Sequence, residues 1–226
     1  MALLLNIDTA TEQAGVCLSR GEEILAFEQT ADPKNHASFL HPAIQRVMQT
    51  AGYSLAAINA VAVTGGPGSY TGLRVGLSAA KGLCYALNKP LIMVNTLHVM
   101  AFAAITCRKQ TAGAEDDMLF CPMIDARRME VFTAMYTPGL KVIIPPAAMV
   151  LGEASFSEEL EKNHIVFSGS GSAKAKVINH SNAVFSQVSY SAKHLAALAL
   201  MAYNTSQFAN LAWCEPFYLK EFYKKA

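Results

Sequence analysis

The stretch that most constrains how this chain folds is residues 64–88, which read TGGPGSYTGLRVGLSAAKGLCYALN. An apolar run at residues 60–63 leads into the glycine turn, and a helical pattern follows the turn. A strand, a glycine turn and a helix in this order point unpaired backbone N–H groups at a negatively charged ligand. The sequence therefore predicts the start of a nucleotide-type site at this turn.

The helix after the turn carries a row of small residues. Gly72, Gly76 and Ala80 recur every four positions, so they share one face of the helix. Glycine inside a helix costs about 1 kcal/mol relative to alanine, and the row therefore needs a structural reason. Close packing of a second backbone is such a reason. We predict that this helix is also a docking face for a partner.

Two known glycine motifs do not fit the turn. No glycine in it has the spacing to a Gly-Lys-Ser/Thr that a P-loop requires. Gly66, Gly68 and Gly72 read GxGxxxG, which misses the dinucleotide fingerprint by one position. The next apolar run ends at Asn95 and Thr96, without the acidic residue that would hold a ribose. A tight strand-to-helix turn that binds no ligand is therefore the open alternative.

A second turn, after the apolar run at residues 3–8, contributes further candidates. Its Asp and Thr side chains either satisfy local backbone groups or hold a metal-bound phosphate. In the glycine turn, the serine stands where a helix N-cap is expected, which explains it better than a nucleophilic role. The candidate phosphate-binding residues are Asp8, Thr9, Gly66, Gly68, Ser69 and Arg74.

The composition indicates an intracellular protein with more apolar surface than a self-contained core needs. Hydrophobic residues make up 52% of the 226 residues and charged residues 15%, against roughly 25% charged in an average protein. No run reaches the roughly 18 apolar residues of a membrane span, and no signal peptide is evident. The five cysteines follow no CxxC pattern, which fits a reducing compartment. We expect a cytoplasmic protein without a membrane segment.

Charge is unevenly distributed along the chain. Residues 33–114 contain seven Lys and Arg residues and no Asp or Glu. The first half should therefore carry a positive field that suits phosphate or an acidic partner. The cations are sparse and lack interleaved aromatic residues, so direct nucleic-acid binding by this chain alone is the less favoured interpretation.

The sequence pattern restarts near the middle of the chain. NIDTATEQAGVCL and MIDARRMEVFTAM share an Ile-Asp, a short turn and a second strand, and their acids are Asp8 and Asp125. Apolar and alternating runs predict strands at residues 3–8 and 91–94 and, after the restart, at 118–125, 130–136 and 141–144, the last before two prolines. We interpret this as an internal duplication of a unit with three strands followed by alternating helices and strands. The polar segment 108–117 is the predicted boundary, which gives domains 1–110 and 111–226. Each domain is predicted to be a mixed α/β sheet flanked by helices.

Metal-ligand spacing is absent from the predicted first helix. His36 and His41 are five residues apart, about 140° round a helix, so they do not easily share an ion. Glu12, Asp8 and Asp125 come from turns, where carboxylates are usually solvated. We predict no metal site.

The longer motifs resemble one family. GGPGSYTGLRVG, LLLNIDTATEQAGVCL, HASFLHPAIQRVM, PMIDARRMEVFTAMY and EPFYLKEF occur in the order found in the bacterial TsaB family, the dimerization subunit of the tRNA threonylcarbamoyladenosine synthase. The resemblance spans almost the whole chain. It implies an α/β fold of two tandem actin-like, Hsp70-like (ribonuclease-H-like) domains.

The resemblance also implies a function. Such a subunit is non-catalytic and pairs with a homologous catalytic subunit (TsaD-like) and an ATPase subunit (TsaE-like). The complex transfers threonylcarbamoyl to adenosine 37 of tRNAs that read ANN codons, so tRNA is reached through the complex. No intrinsic cofactor is expected, ATP or ADP would bind only within the complex, and the isolated chain is a candidate homodimer.

The resemblance places the partner contact on the helices at residues 36–52 and 71–88. The expected interface residues are His36, Phe39, Leu40, Ala43, Val47, Gly72, Leu73, Val75, Gly76, Ala79, Ala80 and Leu83.

The alternative function is a free-standing ATP-dependent kinase-like enzyme of the same fold. It would need two complete phosphate loops and a catalytic acid. The second glycine turn, at residues 168–172, is short and unaccompanied. The sequence also lacks GxSxG and HExxH, so it offers no hydrolytic centre.

Overall fold

The computed structural model of the protein describes residues 1–32, 35–111 and 117–220. Each half of this part of the chain begins with three consecutive strands, and helices and further strands follow. In order, they are β1 (Leu3–Asp8), β2 (Ala14–Arg20), β3 (Glu23–Thr30), α1 (His36–Ala51), β4 (Ala60–Thr64), α2 (Tyr70–Leu87), β5 (Leu91–Val94), α3 (Thr96–Thr111), β6 (Met118–Asp125), β7 (Glu130–Tyr136), β8 (Val142–Val150), α4 (Ser157–Leu160), β9 (His164–Ser168), β10 (Ala183–Phe185) and α5 (Ala192–Asn204). Two 3₁₀ helices, Leu55–Ala57 and Ser170–Val177, complete the set.

The chain divides into two compact units. Unit 1 comprises Met1–Thr96 and Ser191–Phe217, and unit 2 comprises Leu97–Tyr190 with the chain from Tyr218 on. The predicted domains, 1–110 and 111–226, follow a different division. Residues 112–116 of the predicted boundary segment lie outside the described residues.

Unit 1 is built on a mixed sheet with the strand order β3-β2-β1-β4-β5. Strand β1 pairs antiparallel with β2 and parallel with β4, and all six of its residues are buried. Leu3, Leu5 and Ile7 pack in the core beneath α1 and α2. Leu4 faces the other way and packs with Ala199 of α5. Helices thus cover both faces of the sheet, which explains why β1 and β4 are buried throughout and mostly apolar, with Asn6, Asp8 and Thr64 as their polar residues.

Unit 2 repeats the same topology. Its strand order is β10-β9-β6-β7-β8, which is the order of unit 1 when each strand is replaced by its counterpart. Strand β6 stands in the place of β1, and it too pairs antiparallel with the following strand and parallel with a later one. The predicted duplication and the fold class of two mixed sheets flanked by helices are confirmed.

Helix α3 belongs to unit 2 although it precedes the predicted boundary. Its Leu97, Met100 and Ala101 pack with Ile124 and Tyr136 on one face of the second sheet. Helix α5, from the end of the chain, covers the first sheet instead. The two helices therefore each cover a sheet made mostly by the other half of the sequence, which is why a single cut in the chain does not separate the units.

Two strands differ from the predicted pattern. Strand β8 was expected at 141–144, before two prolines, but it continues through Pro145 and Pro146 to Val150. It is an edge strand of its sheet, where missing N–H donors are tolerated. The short strand β10 was not predicted. No helix among the described residues is long and apolar enough to cross a membrane.

Candidate functional site

The glycine turn lies between β4 and α2 and caps the helix. Ser69 is the N-cap residue, and its Oγ accepts a hydrogen bond from the Gly72 N–H at 3.2 Å. The turn is held at its other end by Phe217 N–H, which donates to Gly65 O at 2.7 Å, and by Thr96 N–H, which donates to Gly66 O at 2.8 Å. The predicted capping role of Ser69 is confirmed, and the turn is fastened by three segments of unit 1.

The space that a phosphate would need at this turn is filled by the protein's own backbone. The Ser69 N–H donates to the Ala10 carbonyl oxygen at 2.7 Å. A side chain's first carbon at Gly68 would overlap with that same oxygen, and one at Gly72 would overlap with the Thr9 carbonyl oxygen. The Ala10 carbonyl oxygen thus stands at the Ser69 N–H, where the negative oxygen of a ligand could otherwise bind. The turn between β1 and β2 thus occupies the predicted cradle.

The small-residue row of α2 packs against the same turn. Thr9 Oγ1 donates to Gly72 O at 2.7 Å and also lies over Gly76, where a first side-chain carbon would overlap with it. Ala80, the third member, is completely buried. The close backbone that the row was predicted to need is therefore the protein's own. This corrects the interpretation of the row as an exposed docking face.

Asp8 connects the ends of two neighbouring strands. It is only 3% exposed, and its Oδ1 accepts hydrogen bonds from Thr64 Oγ1 at 2.8 Å and from the Ala10 N–H at 3.1 Å. Thr64 is the last residue of β4, and Ala10 lies in the turn that follows β1. Asp8 therefore links the end of β4 to the turn after β1 by hydrogen bonds.

Arg74 differs from the other candidate phosphate-binding residues. It is exposed on α2, and its guanidinium carbon lies 3.9 Å from the centre of the Tyr70 ring. The structure brings Asp8, Thr9, Gly68 and Ser69 together at the paired turns. Gly66 is buried beside Phe217.

Asp125, the counterpart of Asp8 in unit 2, has a different environment. Its Oδ1 accepts hydrogen bonds from Lys174 Nζ at 2.6 Å and from the Arg127 N–H at 2.7 Å. The Lys174 ammonium lowers the pKa of the Asp125 carboxyl below its usual value. Lys174 also donates to Glu130 O at 2.9 Å. Sequence reasoning singled out Asp125 but missed Lys174, which lies in the AKAK stretch after the second glycine turn.

The expected interface residues divide into two groups by exposure. Eight are buried within unit 1, including His36, whose Nε2 lies 3.3 Å from Glu12 O. The buried residues are His36, Leu40, Ala43, Val47, Gly72, Leu73, Gly76 and Ala80. The partly exposed residues are Phe39, Val75, Ala79 and Leu83. The surface that a partner can reach on α1 and α2 is therefore narrower than the sequence suggested.

Potential metal ligands are dispersed. His36 is buried and His41 is exposed, so the two histidines lie on different sides of α1. In the described ranges, no three His, Cys, Asp or Glu side chains form a group that could hold a metal ion.

A solved structure shares the whole fold. The YeaZ protein of Pseudomonas aeruginosa is 25% identical in sequence and superposes with a TM-score of 0.82, covering 97% of this chain and 100% of that one. The duplicated sheets and this likeness define a protein of the actin-like, ribonuclease-H-like class, as predicted.

Curated relatives agree with the motifs. The chain is 39% identical to the tRNA threonylcarbamoyladenosine biosynthesis protein TsaB of Escherichia coli over 133 residues, which is 59% of this chain. It is 32% identical to the protein of the same name from Bacillus subtilis, again over 59% of this chain. The chain spans 54% of the length of each of these two relatives.

A family model matches most of the chain. The model described as "TsaD: tRNA N6-adenosine threonylcarbamoyltransferase" matches residues 29–225. The chain therefore belongs to this family.

Proposed function

We propose that this protein is a non-catalytic subunit in the formation of threonylcarbamoyladenosine in tRNA. In this role it binds a homologous transferase subunit and supports its activity. The names of the curated relatives support the pathway. The transfer to adenosine 37 of ANN-decoding tRNAs would then be carried out by the TsaD-like partner, together with a TsaE-like ATPase.

The observation that carries the non-catalytic role is the filled cradle at the glycine turn. In a nucleotide-binding enzyme of this fold, the N–H groups before α2 would face phosphate oxygens. Here the Ser69 N–H is bonded to Ala10 O, and Gly68 and Gly72 are pressed against backbone carbonyl oxygens. A phosphate at this place would have to displace the β1–β2 turn. This favours a subunit that meets ATP or ADP only within a complex, and it disfavours the free-standing kinase-like enzyme.

The partner would dock on the exposed row of α2. Val75, Ala79 and Leu83 are spaced four residues apart, so they form one partly exposed apolar row, and they pack against the core that also includes α1. Phe39 of α1 contributes to the same core from the neighbouring helix. An apolar row of this kind suits helix-to-helix contact with a homologous subunit. In the absence of the partner, a second copy of the chain is expected to use the same row.

The experiment is a binding titration between this protein and the TsaD-like subunit of the same cell. Ala79→Arg places a charge in the centre of the row and should weaken association at least tenfold, because an unpaired charge in an interface core is costly. Gln45→Arg, on the exposed side of α1, is the matched control and should leave the affinity unchanged. Equal affinities for the two variants would contradict the proposed docking surface.

A second measurement addresses catalysis. The purified chain should hydrolyse ATP no faster than the uncatalysed background. Robust turnover by the pure chain that is lost in Asp8→Asn would overturn the non-catalytic role.

A further inference from the structure

We propose that the turn between β6 and β7 binds the phosphate backbone of RNA through Arg127 and Arg128. That the RNA is a tRNA rests on the proposed function. The turn belongs to unit 2 and is separate from the row on α2.

The backbone of the turn favours glycine, yet the sequence has two arginines. Arg127 has φ = +72° and Arg128 has φ = +48°, so both lie in the left-handed region. Residues with a side chain other than Asn or Asp adopt this region at a cost, and two in succession are uncommon. Such backbone strain tends to occur where a side chain has a function. The arginine side chains themselves are therefore the feature to explain.

The charges around the turn are distributed unevenly among the described residues. The two acids nearby are each paired with a lysine, Asp125 with Lys174 at 2.6 Å and Glu130 with Lys220. Within the described part of the chain, neither Arg127 nor Arg128 has an ion-pair partner, and both are exposed. The turn thus presents two adjacent, exposed guanidinium groups that no acid in the described ranges 1–32, 35–111 and 117–220 pairs with.

Hydrogen bonds fix the conformation of the β6–β7 turn. The Arg127 N–H donates to Asp125 Oδ1 at 2.7 Å, and the Ala126 N–H donates to Glu130 O at 3.1 Å. Lys174 fixes the Asp125 carboxylate from the other side and is itself bonded to Glu130 O at 2.9 Å. A fixed turn lowers the entropy that the arginines lose on binding.

Phosphate is the ligand group that these arginines suit best. A guanidinium offers a planar pair of N–H donors that matches two phosphate oxygens, and it is more weakly hydrated than an ammonium group. Two neighbouring guanidinium groups match the repeated single charges of a nucleic-acid backbone. The family model and the relatives are all named for a reaction on tRNA, so RNA is the polyanion that this protein would meet.

The test measures binding of an unmodified tRNA transcript with adenosine 37 to the purified full-length protein, at salt concentrations from 50 to 250 mM. The key variant is Arg127→Gly/Arg128→Gly, because glycine fits the left-handed backbone and preserves the turn. Two lost phosphate contacts should reduce the slope of log affinity against log salt by about 1.4–1.8 and weaken binding roughly tenfold at 50 mM. The control is Arg20→Gly/Arg46→Gly, which removes two exposed arginines that are paired with Glu23 and Glu28 in unit 1.

The outcomes separate this inference from the proposed function. An unchanged slope and affinity in the double variant, with a melting temperature as high as that of the parent, would overturn the RNA site. So would a loss equally large in the control, since it would show that any exposed arginine has the same effect. Weaker binding to the TsaD-like subunit with unchanged RNA binding would assign the arginines to an acidic protein surface and also overturn the RNA site. Failure of the proposed function would be seen independently, as no association with the TsaD-like subunit.

Discussion

Gly72 and Gly82, both on α2, differ in the space that they leave for a side chain. At Gly72 a first side-chain carbon would overlap with the Thr9 carbonyl oxygen, a backbone atom that cannot rotate away. At Gly82, on an exposed part of the same helix, no atom lies within 4 Å of that position. At Gly82, alanine is therefore expected to stabilise the protein through its higher helix propensity. At Gly72, the steric overlap with Thr9 outweighs that gain.

We expect Gly72→Ala to lower the free energy of unfolding by about 1–3 kcal/mol, as overpacking in a core does. Gly82→Ala should raise it by about 0.4–1 kcal/mol, because alanine restricts the unfolded chain and favours the helix. Urea denaturation of both variants measures the two changes. If both substitutions stabilise the protein, the β1–β2 turn does not pack on α2 as described.

Single residues were predictable from sequence when their partners are close along the chain. Ser69 was assigned as an N-cap because its acceptor role involves the next turn of the same helix. Lys174, by contrast, pairs with Asp125 from 49 positions away, and no local pattern indicates which of many lysines makes such a contact. The glycine row was recognised, but its partner, Thr9, lies 63 residues before Gly72 and was found only in the structure.

At the scale of elements, α5 depends on a neutral histidine at its start. The Ser191 N–H donates to His194 Nδ1 at 3.0 Å, so the imidazole acts as the acceptor of a capping box. Burial lowers the pKa of His194 below its ordinary value of 6.5. Only the neutral ring can accept this hydrogen bond.

The stability of the protein should therefore fall as the pH drops below 6.5. The His194 side chain takes up a proton near pH 6.5 in the unfolded chain, but only at a lower pH in the folded protein. Its contribution to the free energy of unfolding is therefore fully present above pH 6.5, and it is lost as the pH falls from 6.5 through the pKa of the folded state. His194→Gln keeps a capping acceptor that does not titrate, and its melting temperature should fall less between pH 7.5 and pH 5. His98, whose pKa is also lowered by burial, contributes equally to both proteins, so the difference isolates His194. Parallel pH curves for the two proteins would contradict this role.

Most elements could be predicted because each carries a complete periodic pattern. Strands β1, β5, β6 and β7 have the predicted bounds, since each is an apolar run ended by a turn. The extent of β8 could not be predicted, because prolines normally end a strand and only its position at the sheet edge makes them tolerable. Strand β10 has only three residues and too little pattern to recognise.

At the scale of the whole molecule, the exchange of α3 and α5 decides which fragments fold. A fragment of residues 1–110 lacks α5, which leaves Leu4, Ala60, Ala62 and Ile92 without their cover. A fragment of residues 97–190 keeps α3 on one face of its sheet and the 3₁₀ helix with α4 on the other. Sequence alone could not reveal the exchange, because the duplicated pattern gives no sign of which sheet a helix packs against.

We expect the fragment 97–190 to give a cooperative thermal transition and the fragment 1–110 to aggregate or to melt without cooperativity. The reason is the loss of apolar burial, worth about 25 cal/mol for every Å² that stays exposed. Circular dichroism and size-exclusion chromatography of the two fragments measure this. A cooperative, monomeric fragment 1–110 would show that α5 is dispensable for the first sheet.

The position of α5 in the sequence also affects how the first sheet folds during translation. The five strands of the first sheet are translated before Asn95, but α5, which covers one of their faces, begins only at Ala192, about 100 residues later. At synthesis rates of about 5–20 residues per second, that face stays open for roughly 5–20 s in every nascent chain. Throughout this interval the unfinished protein exposes one apolar face of its first sheet, so a chaperone or a translational pause before α5 is made would directly affect its yield.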